Sequence, residues 1–105
     1  MPDPIPIVPI VVEVDSDLKE LMPLFLEQRR KDRATIARAL DAGDFETLRM
    51  VGHGMAGSGA SYGFPMITAM GEILERAAIA RDNAETTRQS AILADYLDRV
   101  IVKFV

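Results

Sequence analysis

Hydrophobic residues recur at intervals of three and four positions along most of the chain, which is the spacing of amphipathic α-helices. The first such stretch begins at the candidate N-caps Asp15-Ser16-Asp17, where Asp17 has the spacing of a capping box with Glu20, and it ends at Gly43. Pro23 either kinks this helix or divides a short extra N-terminal helix from a long one. The apolar stripe of this stretch consists of Leu18, Leu21, Met22, Phe25, Leu26, Ile36 and Leu40.

Two more helices are predicted in the middle of the chain. Asp44 is placed to cap the first of them, which continues through a run of glycines until Gly63 breaks it. Pro65 favours the start of the next helix, because a proline in the first turn loses no hydrogen bond. That helix ends near residues 80–81.

The last helix is predicted to begin at Asp82, which repeats the capping-box spacing with Glu85, and its apolar stripe continues to Phe104. Residues 1–14 are punctuated by prolines and rich in β-branched side chains, so we expect an extended arm lying across the helices. Four long helices with short connections predict an all-α fold, an antiparallel up-down four-helix bundle over residues 15–105.

The composition restricts the classes of function. A chain of 105 residues suits one small domain, and its 49% hydrophobic and 27% charged residues are ordinary for a globular protein. The formal net charge of −4 argues against nucleic acid as a partner, because a phosphate backbone selects a basic face. The absence of cysteine excludes disulfides and thiolate sites, and a single histidine argues against multi-histidine metal sites. We therefore expect no metal and no cofactor on this chain.

The apolar stretch over residues 4–12 resembles neither a signal peptide nor a membrane span. It lacks a charged n-region, it is interrupted by prolines, and it is too short to cross a bilayer. We therefore expect no membrane association and a cytoplasmic location. We also expect a monomer.

The candidate chemistry lies in the stretch Gly52-His53-Gly54-Met55-Ala56-Gly57-Ser58-Gly59, which contains the only histidine of the chain. On a helical wheel, His53 points roughly 150° away from the centre of the apolar face, toward solvent. Four glycines here weaken a helix by roughly 2–4 kcal/mol relative to alanine. This loss indicates that something must approach closely: a neighbouring helix at Gly52 and Gly59, and a partner's surface at Gly54 and Gly57.

This stretch resembles the motif of the histidine-containing phosphotransfer (HPt) domains of multistep phosphorelays, approximately His-x-Leu-Lys-Gly-Ser-x-x-x-x-Gly. The matching positions are His53, Met55, Gly57, Ser58 and Gly63. The resemblance extends to the segments over residues 25–30 and 73–75, so it covers most of the chain. Ala56 departs from the pattern, since many members have there a lysine that helps to hold the phosphoryl group.

The resemblance implies a phosphorelay intermediate without kinase activity of its own. His53 would accept a phosphoryl group from the aspartate of a response-regulator receiver domain, or of a hybrid histidine kinase, and pass it to another receiver. The Mg²⁺ that neutralises the phosphoryl charge would belong to the receiver. Glu75 matches the position of a Gln or Glu that contacts the imidazole in relatives; the other interpretation is an ordinary solvent-facing residue. The expected partner-contacting residues are Gln28, Arg29, Arg49, Met50, Gly54, Ala56, Gly57 and Ser58.

Several alternatives stay open. The chain could bind receivers without being phosphorylated, which the Ala56 departure favours, or act as a small general-base enzyme, for which it lacks partner residues. Residues 52–57 also match the dinucleotide fingerprint G-x-G-x-x-G, but that motif requires a preceding strand inside a βαβ unit. The mostly basic run from Arg29 to Arg33 is either a solvated helix face or a basic rim near the histidine.

Overall fold

The computed structural model describes residues 8–105. Along this part of the chain lie β1 (Ile10–Val14), a 3-10 helix (Ser16–Leu21), α1 (Met22–Ala42), α2 (Phe45–Ser58), a second 3-10 helix (Ala60–Tyr62), α3 (Pro65–Ile79), α4 (Asn83–Arg99) and β2 (Val100–Phe104). The prediction of four long helices is therefore confirmed.

The helices begin where the local chemistry of the sequence indicates. Asp44 and Asp82 each accept a hydrogen bond at 3.0 Å from the backbone N–H three residues on, as N-caps of α2 and α4. Pro23 lies in the first turn of α1, so it divides a short 3-10 helix from a long α-helix and does not kink it. The 3-10 helix is capped by Asp15, the first of the three candidate caps, which accepts from the Asp17 N–H at 2.8 Å, so the capping box from Asp17 to Glu20 does not form.

The prediction of an all-α fold was wrong, because the two ends of the described chain form a short strand pair and not an unpaired arm and the end of a helix. The last helix ends at Arg99, and the residues expected to complete it form β2, which pairs in parallel with β1 from Ile10↔Val100 to Val14↔Phe104. The segment over residues 100–104 is rich in β-branched side chains and alternates between half-buried and exposed positions, which is the period of a strand. Of the predicted arm, residues 1–7 lie outside the described residues, and residues 10–14 are paired in this sheet.

The hydrophobic core lies between the four helices and the inner face of the strand pair. Phe25 of α1 stacks on Tyr62 and Phe64, with ring centroids 4.8 and 5.0 Å apart. The other buried members of the core are Val14, Met22, Ile36, Ala39, Leu48, Met55, Ile67, Met70, Leu74, Ala78, Leu93, Tyr96 and Leu97. Helix α2 contacts both α1 and α3, and its contact with α3 is the most extensive between any two elements described. The core therefore holds the predicted motif helix between two neighbours.

Candidate functional site

His53 lies in the middle of α2 and points into solvent. Its side chain is 74% exposed, whereas Leu48 and Met55 on the opposite side of the helix are buried. A Cβ added at Gly54 or Gly57 would meet no atom within 4 Å beyond its chain neighbours and the backbone of its own helix, so the surface around the imidazole is open. A large partner therefore has access to the ring.

Glu75 of α3 contacts the ring of His53. Its Oε2 lies 2.9 Å from Nδ1, and its side chain is 24% exposed. An ionised carboxylate only accepts hydrogen bonds, so in this contact Nδ1 carries a proton, and in the neutral ring Nε2 then has the lone pair. The arrangement leaves Nε2 as the ring nitrogen that Glu75 does not contact.

Arg49 lies one helical turn before His53 and is held by a carboxylate on its own helix. Its Nε and Nη2 donate to the two oxygens of Glu46 at 2.9 and 2.6 Å. These hydrogen bonds raise the pKa of Arg49 and lower that of Glu46, and the charge of Glu75 adds a smaller upward effect on the pKa of Arg49. Arg49 is thus within electrostatic reach of the His53–Glu75 pair.

Arg29, expected among the partner-contacting residues, is buried and links α1 to the motif helix. Its Nη1 donates to Ser58 Oγ at 2.6 Å, and its Nε lies 2.8 Å from Asp32 Oδ2. Ser58 in turn donates to the carbonyl oxygen of Gly54 at 2.9 Å, while Gln28 donates to Asp32 at 3.0 Å. Burial raises the pKa of the Asp32 carboxyl, although the hydrogen bond from Gln28 and the charge of Arg29 act in the opposite direction. This network fixes Ser58, one turn after His53.

The basic run over residues 29–33 does not direct its charges to one side. Arg29 reaches α2, whereas Arg33 donates to Asp98 of α4 at 2.9 Å. Lys31 lies 3.7 Å from Glu27 on its own helix. The charges of these three residues are therefore distributed over different neighbours, and only Arg29 extends toward the helix of His53.

Met50 and Ala56 occupy different surroundings. Met50 is exposed, whereas Ala56 is half-buried on the side of α2 that faces α3. The carbonyl of Ala56 accepts a hydrogen bond from Thr68 Oγ1 at 3.2 Å. No cation stands at position 56, and Arg49 is the nearest arginine in sequence on the same helix.

Sequence reasoning missed a groove of about 270 Å³ between α1 and the end of α2. Its lining consists of Leu21, Leu24, Phe25, Gln28, Arg29, Ser58 and Tyr62. Leu21 was predicted to face the core, but it is half exposed because it ends the 3-10 helix. The available signal was Leu24, an apolar residue outside the predicted stripe, which is 69% exposed.

Two findings concern sites of other kinds. Among residues 8–105, no three His, Cys, Asp or Glu side chains lie close enough together to hold a metal ion. None of the helices described is both long and apolar enough to cross a membrane.

Comparisons with curated proteins and with solved structures gave no significant match. A family model described as Hpt domain matches residues 20–102. The matched region contains all four helices, with His53 and Glu75, and leaves out β1. Because the match covers most of the chain and includes the glycine-flanked histidine, this protein belongs to the Hpt domain family.

Proposed function

We propose that this chain is a phosphorelay intermediate that accepts a phosphoryl group on His53 from a receiver-domain aspartate and passes it to another receiver. The observation that carries the proposal is the pairing of an open, exposed imidazole with a carboxylate 2.9 Å from Nδ1. Family membership supports it, because Hpt domains act in phosphotransfer within phosphorelays. The donor is a separate response regulator or the receiver domain of a hybrid histidine kinase.

The chemistry needs only one reacting group on this chain. The lone pair of Nε2 attacks phosphorus of the aspartyl phosphate, the N–P bond forms, the P–O bond breaks, and the aspartate leaves as a carboxylate. The proton on Nδ1 stays between His53 and Glu75, where the carboxylate stabilises the positive charge that develops on the ring. The reverse sequence returns the phosphoryl group to a second receiver, so the chain is a carrier without kinase activity.

Charge neutralisation on the phosphoryl oxygens comes mainly from the partner in this scheme. The receiver contributes its Mg²⁺. Arg49 supplies a second positive charge if it exchanges Glu46 for the phosphoryl group. Met50, Gly54, Ala56 and Gly57 line the surface on which the receiver lies, with Ser58, Gln28 and Arg29 at the adjoining groove.

The decisive experiment is transfer of label from a receiver. A panel of receiver domains, charged with labelled acetyl phosphate in the presence of Mg²⁺, is incubated with the purified chain. The expected product is a label on this chain that is labile to acid and stable to base, as a phosphohistidine is. His53→Gln should abolish the label while changing the free energy of unfolding by less than about 1 kcal/mol, because the side chain is exposed. Label on the His53→Gln variant would contradict the proposal.

A second candidate is a receiver-binding module that is not itself phosphorylated. Ala56 favours it, because the cation expected beside the phosphoryl group is absent at that position. In the same experiment this function gives binding of the receivers, seen by calorimetry, without any transfer of label. Equal affinity of the wild type and the His53→Gln variant would accompany that result.

The wider organisation belongs to the same proposal. We take the four helices as an antiparallel up-down bundle over residues 15–105, completed by β1, which pairs with β2 and contributes Val14 to the core. We propose a monomer that works in the cytoplasm, where receiver domains are its partners and nucleic acid is not.

A further inference from the structure

The side chains of His53 and Glu75 do not by themselves determine the distance between the imidazole and the carboxylate. The imidazole is 74% exposed, so packing does not hold it in place, whereas the Glu75 side chain is only 24% exposed and lies on α3. Their one described hydrogen bond is the 2.9 Å contact with each other. The separation of the two groups is therefore determined chiefly by how closely the backbones of α2 and α3 approach.

That approach takes place through glycines next to both residues. A Cβ added at Gly52 would lie 2.7 Å from the backbone nitrogen of Glu75 and 2.8 Å from the carbonyl oxygen of Gly71. A Cβ added at Gly71 would lie 2.5 Å from the nitrogen of Ala56 and 2.6 Å from the carbonyl oxygen of Gly52. The contact is reciprocal and joins backbone to backbone, so there is no flexible side chain that could move aside.

A single methyl group at either position must separate the helices. Real Cβ atoms essentially never lie within 3.0 Å of another heavy atom, and van der Waals contact needs roughly 3.5–4.0 Å. The backbones would have to part by roughly 0.5–1 Å. A displacement of this size lengthens a 2.9 Å hydrogen bond to the limit of what counts as one.

We infer that Gly52 and Gly71 are positioning residues for His53, whose close contact sets the distance to Glu75 and so keeps the proton on Nδ1. This inference rests on the proposed function in one respect only: phosphotransfer is the reason why the Nδ1–H form is useful. It makes a separate claim about the free chain: without the glycine contact, the imidazole is no longer held in the Nδ1–H form. The glycines act through Glu75 and do not touch a reacting atom.

The test is the tautomer of His53 in Gly52→Ala and Gly71→Ala, read from the ¹⁵N chemical shifts of the ring in the chain alone. The wild type should show the Nδ1–H form as the main neutral species. In both variants the ratio of Nδ1–H to Nε2–H forms should fall at least severalfold, as it should in Glu75→Ala. Transfer from a receiver should slow by about tenfold or more, since a misplacement of ~1 Å can reduce a rate about 100-fold.

Two other glycines of the same segment provide matched controls. A Cβ at Gly59 would lie 2.5 Å from the nitrogen of Thr68, so Gly59→Ala disturbs the same pair of helices at a point remote in sequence from Glu75. It should lower stability and leave the tautomer unchanged. Gly54→Ala, on the same helix with nothing within 4 Å of the new methyl group, should also leave the tautomer unchanged.

The inference is overturned if Gly52→Ala and Gly71→Ala fold and keep the wild-type tautomer ratio, or if Gly59→Ala changes the ratio as much as they do. Should neither variant fold, Glu75→Asp makes the test without touching the contact, since it withdraws the carboxylate by one bond of roughly 1.5 Å. An unchanged ratio in Glu75→Asp refutes the claim that the separation matters. The tautomer is measured without a receiver, so a failure of phosphoryl transfer leaves this result intact.

Discussion

At the scale of single residues, the candidate site consists of one exposed imidazole, the carboxylate that contacts it, and an arginine that is paired with a glutamate of its own helix. Glu75 binds Nδ1 of His53, and Glu46 binds Arg49 through both of its oxygens. Phosphorylation would place a dianion near Arg49, which could then compete with Glu46 for the guanidinium. Arg49 is thus a positive charge that is paired with Glu46 and becomes available when a phosphoryl group competes for it.

Substitutions at this pair test how the missing lysine is compensated. Arg49→Ala should slow transfer and shorten the phosphohistidine lifetime by roughly two- to fivefold, the range for exposed charges. Glu46→Gln is the matched control with the opposite sign, because it releases Arg49. Ala56→Lys should restore the rate in the Arg49→Ala background. If Arg49→Ala transfers at the wild-type rate, the positive charge that neutralises the phosphoryl oxygens comes from the receiver alone.

Asp32 leads to a prediction about pH. Burial raises its pKa above the ordinary value of about 3.8, so the folded chain binds this proton more tightly than the unfolded chain does. The contribution of this proton to the free energy of unfolding is fully present below the pKa of Asp32 in the unfolded chain. It is lost as the pH rises through the higher pKa of Asp32 in the folded chain. Asp32→Asn should remove that loss.

Urea unfolding between pH 3.5 and 7 measures this effect. The free energy of unfolding of Asp32→Asn should improve relative to the wild type as the pH rises, whatever its constant offset from the loss of the Arg29 ion pair. Asp98→Asn, which removes the exposed partner of Arg33, is the control for the loss of one carboxylate charge. Parallel curves for Asp32→Asn and the wild type would show that the carboxyl titrates normally.

At the scale of elements, the structures that depend on neighbouring residues could be predicted from the sequence. Those that depend on contact with a distant segment could not. Asp44, Asp82 and Pro65 mark helix starts by interactions within four residues, so those starts were predictable. Residues 100–104 carry apolar side chains that fit either period, and their partner strand lies about 90 positions away, so the strand could not be recognised. The inward turn of Arg29 depends likewise on Ser58, 29 positions on.

Two valines of β1 separate the contributions of its faces. Val14 is 1% exposed and lies against the backbone of Gly63, whereas Val11 is 58% exposed. Val14→Ala should lower the free energy of unfolding by about 1–3 kcal/mol, from lost burial and the cavity left behind. Val11→Ala should change it by less than about 0.5 kcal/mol. Equal effects of the two substitutions in a denaturant titration would mean that the sheet does not pack on the core as described.

At the scale of the whole molecule, the open surface around His53 continues into the groove between α1 and α2. Ser58 connects the two, since it binds the carbonyl of Gly54 and also lines the groove. The groove wall includes Leu24, which is exposed and contributes little to the core. We expect a receiver that approaches the imidazole to cover this side chain.

Leu24→Asp should therefore weaken receiver binding by about tenfold or more while leaving the fold intact, because an apolar contact is replaced by a charge that must be desolvated. Ile92→Asp is the matched control: Ile92 is also an exposed apolar residue, but it lies on α4, which packs against α1 and α3. Titration calorimetry with a receiver that transfers label measures both. Equal weakening by the two substitutions would place the receiver elsewhere.

The parallel pairing of β1 and β2 also has a consequence for the order of folding. The two strands are separated by all four helices, and the backbone bond from the Val105 N–H to the Val14 carbonyl closes a loop of some 90 residues. Closing so long a loop is entropically unfavourable before the intervening helices have formed, so the sheet should form after the rate-limiting step. During synthesis, β1 emerges long before its partner exists. Val14→Ala should accordingly accelerate unfolding and leave the refolding rate almost unchanged in stopped-flow measurements.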